Sequence, residues 1–149
     1  MNAIFRPGHP GDASLIRSFV RAAYAKWVPV MGREPLPMTA DYDAALQIHA
    51  FQLGFVAGEL ACVIETVAHP DHLWIENIAV RPDLQGQGLG RQMLDLTMAE
   101  AGALGLPRVR LLTNAALTSN VRFYQTYGFA LDATEAFRGG FIVRMSKPV

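Results

Sequence analysis

Residues 74–100 read WIENIAVRPDLQGQGLGRQMLDLTMAE, and this stretch decides how the rest of the chain is interpreted. Trp74–Val80 is rich in apolar and β-branched residues, which predicts a strand. Arg81–Asp83 ends that strand, because the proline at its centre fixes its own φ angle and has no backbone N–H to donate. Leu89, Met93 and Leu96 then recur at helical spacing. The stretch is therefore predicted to be a strand, a glycine-rich turn and a helix.

The turn between strand and helix, Gln85–Gly90, carries glycine at every second position. Glycine lets the backbone approach a ligand closely, and the first N–H groups of the following helix are unpaired and lie at the positive end of its dipole. A phosphate or pyrophosphate is the expected guest. A dinucleotide-binding turn is excluded because Arg91 stands where G-x-G-x-x-G needs its third glycine. A Walker loop is excluded because the chain has no Gly-Lys pair.

The remaining pattern, Gln85-x-x-Gly88-x-Gly90, resembles the acetyl-CoA pyrophosphate loop of the N-acetyltransferase superfamily known as GNAT. A second stretch, Asn114–Phe129, is similar to the other signature of that superfamily, in which an Asn is followed by a Tyr and then by Gly-Phe. Here these residues are Asn120, Tyr124 and Gly128-Phe129. Asn120 and Tyr124 are four residues apart, so they share one face of a helix.

Period-two and helical patterns along the rest of the chain predict the element order β-αα-βββ-α-β-α-ββ, an α+β fold with a mixed sheet flanked by helices. This order coincides with that of GNAT proteins over nearly the whole chain. The resemblance implies a centrally splayed sheet, in which the strands ending at Val80 and Thr113 separate. At 149 residues, a single domain over residues 1–149 is expected.

Capping residues predict where the helices begin and end. Asp12 is predicted to cap the first helix and Val28-Pro29 to end it. Thr39 or Asp41 is predicted to cap a second, shorter helix near Asp41–Ile48. Thr118 or Ser119 is predicted to cap the last helix, which Gly128 closes.

Composition excludes several kinds of partner. The 13 basic and 13 acidic side chains give a formal net charge of zero, which argues against nucleic acid or an anionic membrane. No apolar run approaches the ~18 residues of a membrane span, and the first residues lack a signal-peptide pattern. A lone Cys62 leaves no internal disulfide, so a cytoplasmic protein is expected. His69 and His72 lie in a Pro-Asp turn without a third ligand, so no metal site is predicted.

The resemblance implies a reaction in which an amine attacks acetyl-CoA directly, with no covalent enzyme intermediate. Tyr124 would protonate the leaving thiolate, since tyrosine is protonated at neutral pH, with a reference pKa near ~10. By itself Tyr124 would be interpreted as a core aromatic, and the two motifs together favour the catalytic role. Glu76 is the candidate base. A solvated carboxylate, or one paired with Arg108 or Arg110, is an equal alternative for Glu76.

The same resemblance implies the cofactor contacts. The strand edge would bind pantetheine, the glycine turn the pyrophosphate, and the last helix the thioester end of acetyl-CoA. The implied contact residues, in that order, are Ile78, Ala79 and Val80; Gln85, Gly86, Gln87, Gly88, Leu89, Gly90 and Arg91; and Asn120 and Tyr124.

The acceptor is not specified by the sequence. A small-molecule amine, a peptide N-terminus and a lysine all remain open, as do the use of other acyl-CoAs and a homodimeric state. The region that forms the acceptor wall in the family holds Trp27, Met31, Met38 and Tyr42, which suits either an apolar acceptor or a dimer surface. Two other functions also stay open: a non-catalytic acyl-CoA-binding sensor, and an interaction module that leaves the groove empty.

Overall fold

The computed structural model describes all residues 1–149 and confirms the α+β prediction: a mixed seven-stranded sheet, in the order β1-β2-β3-β4-β5-β7-β6, is flanked by helices. The strands are β1 (Ile4–Pro7), β2 (Ala50–Val56), β3 (Glu59–Ala68), β4 (Leu73–Val80), β5 (Arg108–Asn114), β6 (Ala130–Phe137) and β7 (Gly140–Pro148). The helices are α1 (Ala13–Tyr24), α2 (Val28–Met31), α3 (Tyr42–Ile48), α4 (Leu89–Ala103) and α5 (Thr118–Tyr127). None of the helices has both the length and the apolar character that crossing a membrane requires.

Two hydrophobic clusters hold the helices against opposite faces of the sheet. One cluster joins α4 and α5 to strands β3, β4, β5 and β7, and the other joins α1 and α3 to β2 and β3. Within β3 the two clusters alternate, because Cys62 and Ile64 belong to the first and Val63 to the second. Successive side chains of a strand point to opposite faces, so β3 is buried on both sides and reads as a continuous apolar run.

The sheet is splayed at its centre, as the resemblance implies. Strands β4 and β5 are parallel and pair only at Leu73↔Val109 and Trp74↔Arg110. Beyond that point β5 continues to pair with β7 along its whole length, while β4 continues to pair with β3. The two halves of the sheet therefore separate, and one edge of β4 lacks a neighbouring strand from about residue 75 onward.

A β-bulge interrupts β4 at the point where the splay begins. Thr66 of β3 lies opposite Ile75, and Glu65 lies opposite Asn77, so Glu76 is an extra residue without a partner in β3. A bulge bends the strand and re-aims side chains. As a result Asn77 turns to the face covered by α1 and α3, where it is buried.

The predictions for both ends of α1 are wrong. The Asp12 carboxylate does not cap α1; it accepts two hydrogen bonds from the Arg6 guanidinium, both at 2.9 Å, and one from His9 N. Val28-Pro29 does not end the helical segment either, because the chain passes through a 3₁₀ turn (Ala25–Trp27) into α2. Pro29 lies in the first turn of α2, where no N–H is needed. Gly32, with φ of 72°, ends that helix.

Of the predicted caps of α3 and α5, the first is confirmed and the second is wrong. Asp41 caps α3 as predicted, accepting a hydrogen bond from Ala44 N at 3.1 Å. Neither Thr118 nor Ser119 caps α5, because both lie inside the helix and Leu117 precedes it. Asn114 instead accepts a hydrogen bond from Ala116 N and forms the turn that leads into α5. The chain therefore enters α5 through an Asx turn, which a search for an adjacent cap does not detect.

Asp12→Asn should make the protein less stable at neutral pH. The hydrogen bonds from Arg6 lower the pKa of Asp12 to about 2, so the stabilisation is present above the unfolded value near ~4 and is lost as the pH falls toward 2. Urea unfolding should show a lower midpoint for the variant at pH 7 and a difference that shrinks by pH 2 to 3. Asp43→Asn, which breaks the exposed Arg17–Asp43 pair, is the control and should change little at either pH. Equal midpoints for Asp12→Asn and wild type at pH 7 would contradict the prediction.

Candidate active site

A groove of about 920 Å³ occupies the gap between the separated strands and is lined by residues of α1, α2, α3, β4, β5, α5 and the glycine turn. It brings together twelve of the thirteen predicted site residues and leaves out Gln87. The twelve that line it are Glu76, Ile78, Ala79, Val80, Gln85, Gly86, Gly88, Leu89, Gly90, Arg91, Asn120 and Tyr124. Elements far apart in the sequence therefore converge on one continuous cleft.

The glycine turn presents a row of unpaired backbone donors. Gly86 and Gly88 have φ angles of 77° and 87°, in the left-handed region that glycine enters without a steric cost. None of the N–H groups of residues 86–91 donates a hydrogen bond within the protein, and the first backbone donor of the new helix to find a carbonyl is Gln92 N, which bonds Gly88 O. Six successive free N–H groups at a helix N-terminus suit an anion such as a pyrophosphate.

Gly90 has a different role, because its lack of a side chain leaves room for the Phe123 ring of α5 at the start of α4. A Cβ atom at this position would lie 2.9 Å from Cζ of Phe123, which is too close without a shift of the ring. Phe123 therefore packs directly over the start of α4, beside the turn. The alternate glycines of the motif thus combine two requirements, positive φ at Gly86 and Gly88 and close helix packing at Gly90.

The edge of β4 that faces the gap offers backbone groups from alternate residues. Arg81 N donates to Ala61 O of β3 at 2.8 Å, and the antiparallel alternation then directs the polar backbone groups of Ala79 toward β3 and those of Ile78 and Val80 into the gap. Two contacts agree with this: Ile78 O accepts the Tyr24 hydroxyl at 2.9 Å, and Val80 O accepts Gln85 Nε2 at 3.3 Å. The free edge is that of an open sheet.

Tyr124 places a hydroxyl group in the groove from the buried face of α5. Its side chain is 5% exposed, yet its Oη has no hydrogen-bond partner in the protein, and no polar side-chain atom of the chain is both fully buried and unpartnered. The hydroxyl must therefore contact the groove. Burial, with a smaller contribution from the charge of Tyr24, raises the pKa of Tyr124, so the group is protonated at neutral pH. Asn120 lines the groove one helical turn earlier.

Glu76, the extra residue of the bulge, is exposed and lines the same groove. Its carboxylate accepts a hydrogen bond from Trp74 Nε1 at 2.8 Å. Neither Arg108 nor Arg110 bonds to it, although the sequence left that pairing open; Arg108 instead donates to Ser146 Oγ. Glu76 is thus an accessible carboxylate on the wall of the groove.

A buried hydrogen-bond network behind that wall was missed by reading the sequence. The single hydroxyl proton of Tyr24 is shared between Asn77 Oδ1, at 2.8 Å, and Ile78 O, at 2.9 Å, and Asn77 Nδ2 donates to the Tyr42 hydroxyl at 3.0 Å. Tyr42 in turn donates to Pro37 O at 2.6 Å. A polar residue in the middle of an apolar strand was the available signal for Asn77. The network ties α1 and α3 to β4 beside the gap.

Glu65 was also missed, although a single acidic residue within the apolar run of β3 was the same kind of signal. Its side chain is buried, and Oε2 lies 2.6 Å from His49 Nδ1, so the two groups share a hydrogen bond on the groove wall. Burial raises the pKa of Glu65; the hydrogen bond and charge of His49 partly offset this, and the charge of Glu76 adds to it. A carboxylate is thus retained where its charged form is disfavoured.

The rest of the wall is mainly apolar. Of the four residues expected there, Trp27, Met31 and Tyr42 line the groove, whereas Met38 is buried away from it. The Lys26 ammonium contacts the Gln85 side-chain oxygen across the groove and lies over the Trp27 ring, 4.5 Å from its centroid. The α1–α2 segment therefore touches the glycine turn directly.

Glu65→Gln should stabilise the fold more as the pH rises. The pKa of Glu65 is raised on folding, so its ionisation costs stability once the pH passes the unfolded value near ~4.3. Glutamine keeps the shape and carries no charge, so the variant avoids the cost of burying an ionised carboxylate. Urea unfolding at pH 4, 6 and 8 should show a growing advantage for the variant. The exposed Glu59→Gln, which removes only a surface pair with Arg81, is the control and should show none. A variant that loses stability relative to wild type as the pH rises would mean that the His49 pair outweighs desolvation.

A family model described as the acetyltransferase (GNAT) family matches residues 14–129 of this chain. This span contains both motifs, from the start of α1 to the Gly-Phe pair after α5. It leaves out β1, β6 and β7, which complete the two edges of the sheet.

Solved structures share the whole fold. The chain is similar to a PaiA N-acetyltransferase from Thermoplasma acidophilum in complex with coenzyme A (TM-score 0.85, 15% identity, 100% of each chain covered). It is also similar to the ribosomal-protein-S18-alanine N-acetyltransferase from Escherichia coli (TM-score 0.80, 20% identity, 98% of this chain and 93% of that one). A third is a GNAT acetyltransferase from Elizabethkingia anophelis with acetyl-CoA bound (TM-score 0.75, 17% identity, 99% of each chain). At these identities the likeness extends to the fold alone.

Proposed function

This chain belongs to the acetyltransferase (GNAT) family, and from that premise we propose that it transfers an acetyl group from acetyl-CoA to a primary amine. The observation that carries the proposal is the convergence on one groove of three unsatisfied features. They are the six free N–H groups of the glycine turn, the open edge of β4 and the unpartnered hydroxyl of Tyr124. The acetyl donor offers one chemical group to each.

The fit follows the length of the donor. Its pyrophosphate would lie on the N–H groups of residues 86–91, with Gln85 and Arg91 at the sides. Its pantetheine amides would bond the polar backbone groups of Ile78 and Val80, adding a strand to the open edge, with Ala79 packed between them. Its thioester would then lie beside Asn120 and Tyr124. Gln87, whose side chain is outside the groove, would contribute through its backbone N–H only.

The chemistry assigned to the groove is a direct transfer. The amine nitrogen attacks the thioester carbonyl carbon, a C–N bond forms, and the C–S bond breaks. The leaving sulfur takes the proton of Tyr124 Oη, which improves the leaving group by general-acid catalysis, and the tyrosine is reprotonated from solvent. An acceptor that arrives as an ammonium loses one proton before the attack and a second as the amide forms. We propose that Glu76 meets the amine, where its carboxylate attracts the ammonium form and accepts a proton directly or through water.

Two observations support the positions of these groups. Tyr124 is held by packing, since its ring lies 5.8 Å from the Phe129 ring and 5.3 Å from the Phe123 ring, and the hydroxyl is left free. Glu76 owes its direction to the bulge, a feature that commonly re-aims a side chain next to an active site. The buried free thiol of Cys62 suits the cytoplasmic setting that we propose for this reaction.

Gly88→Glu should abolish acetyl-CoA binding. The variant side chain would place a carboxylate where the pyrophosphate is expected, and repulsion between like charges opposes binding. Calorimetric titration of acetyl-CoA should give micromolar-range binding to wild type and none to the variant. Gly105→Glu is the matched control, because Gly105 has a similar φ of 71°, open space around it, and lies outside the groove. It should bind like wild type.

The outcomes separate the candidate functions. If the titration of wild type releases and absorbs no heat at two temperatures, the proposal is wrong, and an interaction module on this fold is the remaining candidate. Binding to wild type that is equally lost in both variants would show a strain effect instead of a pyrophosphate site. Binding without transfer to any amine would favour a non-catalytic acyl-CoA sensor.

Tyr124→Phe and Glu76→Gln should reduce transfer in different ways. Loss of the general acid should lower kcat by about 10²-fold at every pH below the ionisation of the hydroxyl, with acetyl-CoA binding retained. Loss of the carboxylate should lower kcat/KM for the amine by about tenfold or more at pH 7 and by less at pH 9 to 10, where more of the amine is already neutral. Steady-state kinetics against pH measure both.

These kinetic signatures can fail independently. If Tyr124→Phe keeps the wild-type kcat, Tyr124 is not the general acid and has only a packing role. A Glu76→Gln defect that is the same at pH 7 and pH 10 would show that the carboxylate does not act on the charge of the amine.

A further inference from the structure

Arg33 is a half-buried arginine that lines the groove on its acceptor side and forms neither a hydrogen bond nor an ion pair with the protein. Its one notable contact is with the Phe137 ring, whose centroid lies 5.8 Å from the guanidinium carbon. The neighbouring Glu34 does not neutralise it, because that carboxylate pairs with Arg21 at 3.0 Å. A guanidinium has five N–H donors and is always charged. All five are left for a ligand.

The acidic groups of the groove are already engaged. Asp41 caps α3, Glu65 bonds His49, and Glu76 accepts from Trp74. These three are the only carboxylates among the lining residues. None of these three carboxylates pairs with Arg33, so the protein supplies no anion for its guanidinium group.

A second arginine reinforces the positive charge at this end of the groove. Arg138, in the β6–β7 turn, lies on the same Phe137 ring at 5.3 Å from its centroid and likewise has no hydrogen-bond or ion-pair partner. Two unpaired guanidinium groups thus share one aromatic ring, in a chain whose formal net charge is zero. Such an arrangement concentrates positive potential at the groove mouth and attracts anions.

From these contacts we propose that Arg33 binds a carboxylate of the acceptor, so that the acceptor is a small amine that also carries an acidic group. This inference rests on the proposed acetyl transfer, and it names the substrate class that the motifs leave open. The planar guanidinium matches a carboxylate in two parallel hydrogen bonds. Glu76, an acceptor-only group when ionised, supplies the opposite charge for the ammonium end of the same molecule.

The wall around Arg33 indicates what the rest of that molecule is like. Phe137 contacts Arg33 directly, and Trp27, Met31 and Leu36 line the same groove. Apolar walls with a few placed charges favour a molecule that carries an apolar body beside its charged groups. An amino acid with an apolar side chain has all three features, an ammonium, a carboxylate and an apolar body.

The test is a cycle that changes the enzyme and the substrate one at a time. The probes are L-phenylalanine, L-leucine and L-methionine, each compared with its own amide, which keeps the body and amine and removes the negative charge. The kcat/KM ratio of acid to amide is measured for wild type and for Arg33→Gln. Because the two amines differ in basicity in the same way for both proteins, that difference cancels when the ratios are compared.

Wild type should favour the acids, and Arg33→Gln should reduce the ratio by about 10- to 100-fold, the range of a hydrogen bond to a charged group. Arg33→Lys should restore part of the ratio, since it keeps the charge and loses the paired geometry. Arg138→Gln should lower the ratio less and mainly at low salt, as an exposed charge does. A wild-type ratio at or below one for all three pairs, or an unchanged ratio in Arg33→Gln, would overturn the proposal.

A binding measurement keeps this inference separate from acetyl transfer itself. If wild type binds acetyl-CoA and acetylates no probe, the kinetics do not report on Arg33, and N-acetyl-L-phenylalanine is titrated into the coenzyme A complex of wild type and Arg33→Gln. Binding that is lost in the variant would support a carboxylate site at Arg33. Equal binding to both proteins, or none to wild type, would reject it.

Discussion

The separation of β4 from β5 is the constraint on which the rest of this structure depends. Two parallel strands that pair at only two positions leave an unpaired backbone edge inside the protein, and a buried peptide group without a partner costs about as much as a lost hydrogen bond. The protein satisfies part of that edge itself, with the Tyr24 hydroxyl on Ile78 O and the Gln85 amide on Val80 O. What is left open is a strand-shaped slot with donors and acceptors in register, which is why the groove suits an extended amide-containing chain.

The two sides of the slot are built in opposite ways. On the acceptor side the buried polar groups are closed into pairs: Asn77 bonds both Tyr24 and Tyr42, and Glu65 bonds His49. A fully satisfied buried network holds its members in one arrangement. On the donor side the turn keeps its N–H groups unpaired, which is tolerable only because the turn is exposed to solvent. Rigid positioning on one side and free donors on the other are what a transfer site needs.

Most of the fold followed from local chemistry that a sequence displays. The apolar run Trp74–Val80, Pro82 and the alternate glycines predicted β4, the turn and the start of α4 almost to the residue. The predictions were wrong at the two ends of α1. Asp12 bonds Arg6 of β1 instead of the N–H groups of α1, and Pro29 starts a new helix instead of ending the old one. At the site, Gly88 and Tyr124 were found because their spacing is local. The pairs Glu65–His49 and Asn77–Tyr42 join separate elements, so no local sequence spacing predicts them.

The charges of the groove complete the reasoning about what enters it. A neutral chain could have paired every ionic group on its walls, and along this groove the three carboxylates are all engaged. The guanidinium groups of Arg33 and Arg91 are not, although each lies against an aromatic ring that holds it in place. Stacking fixes a guanidinium in one plane without using its donors. Arg91 is beside the glycine turn, where we propose that the pyrophosphate lies. Arg33 follows α2 on the wall of the same groove, and its open donors match the second acidic group that we propose on the molecule that receives the acetyl.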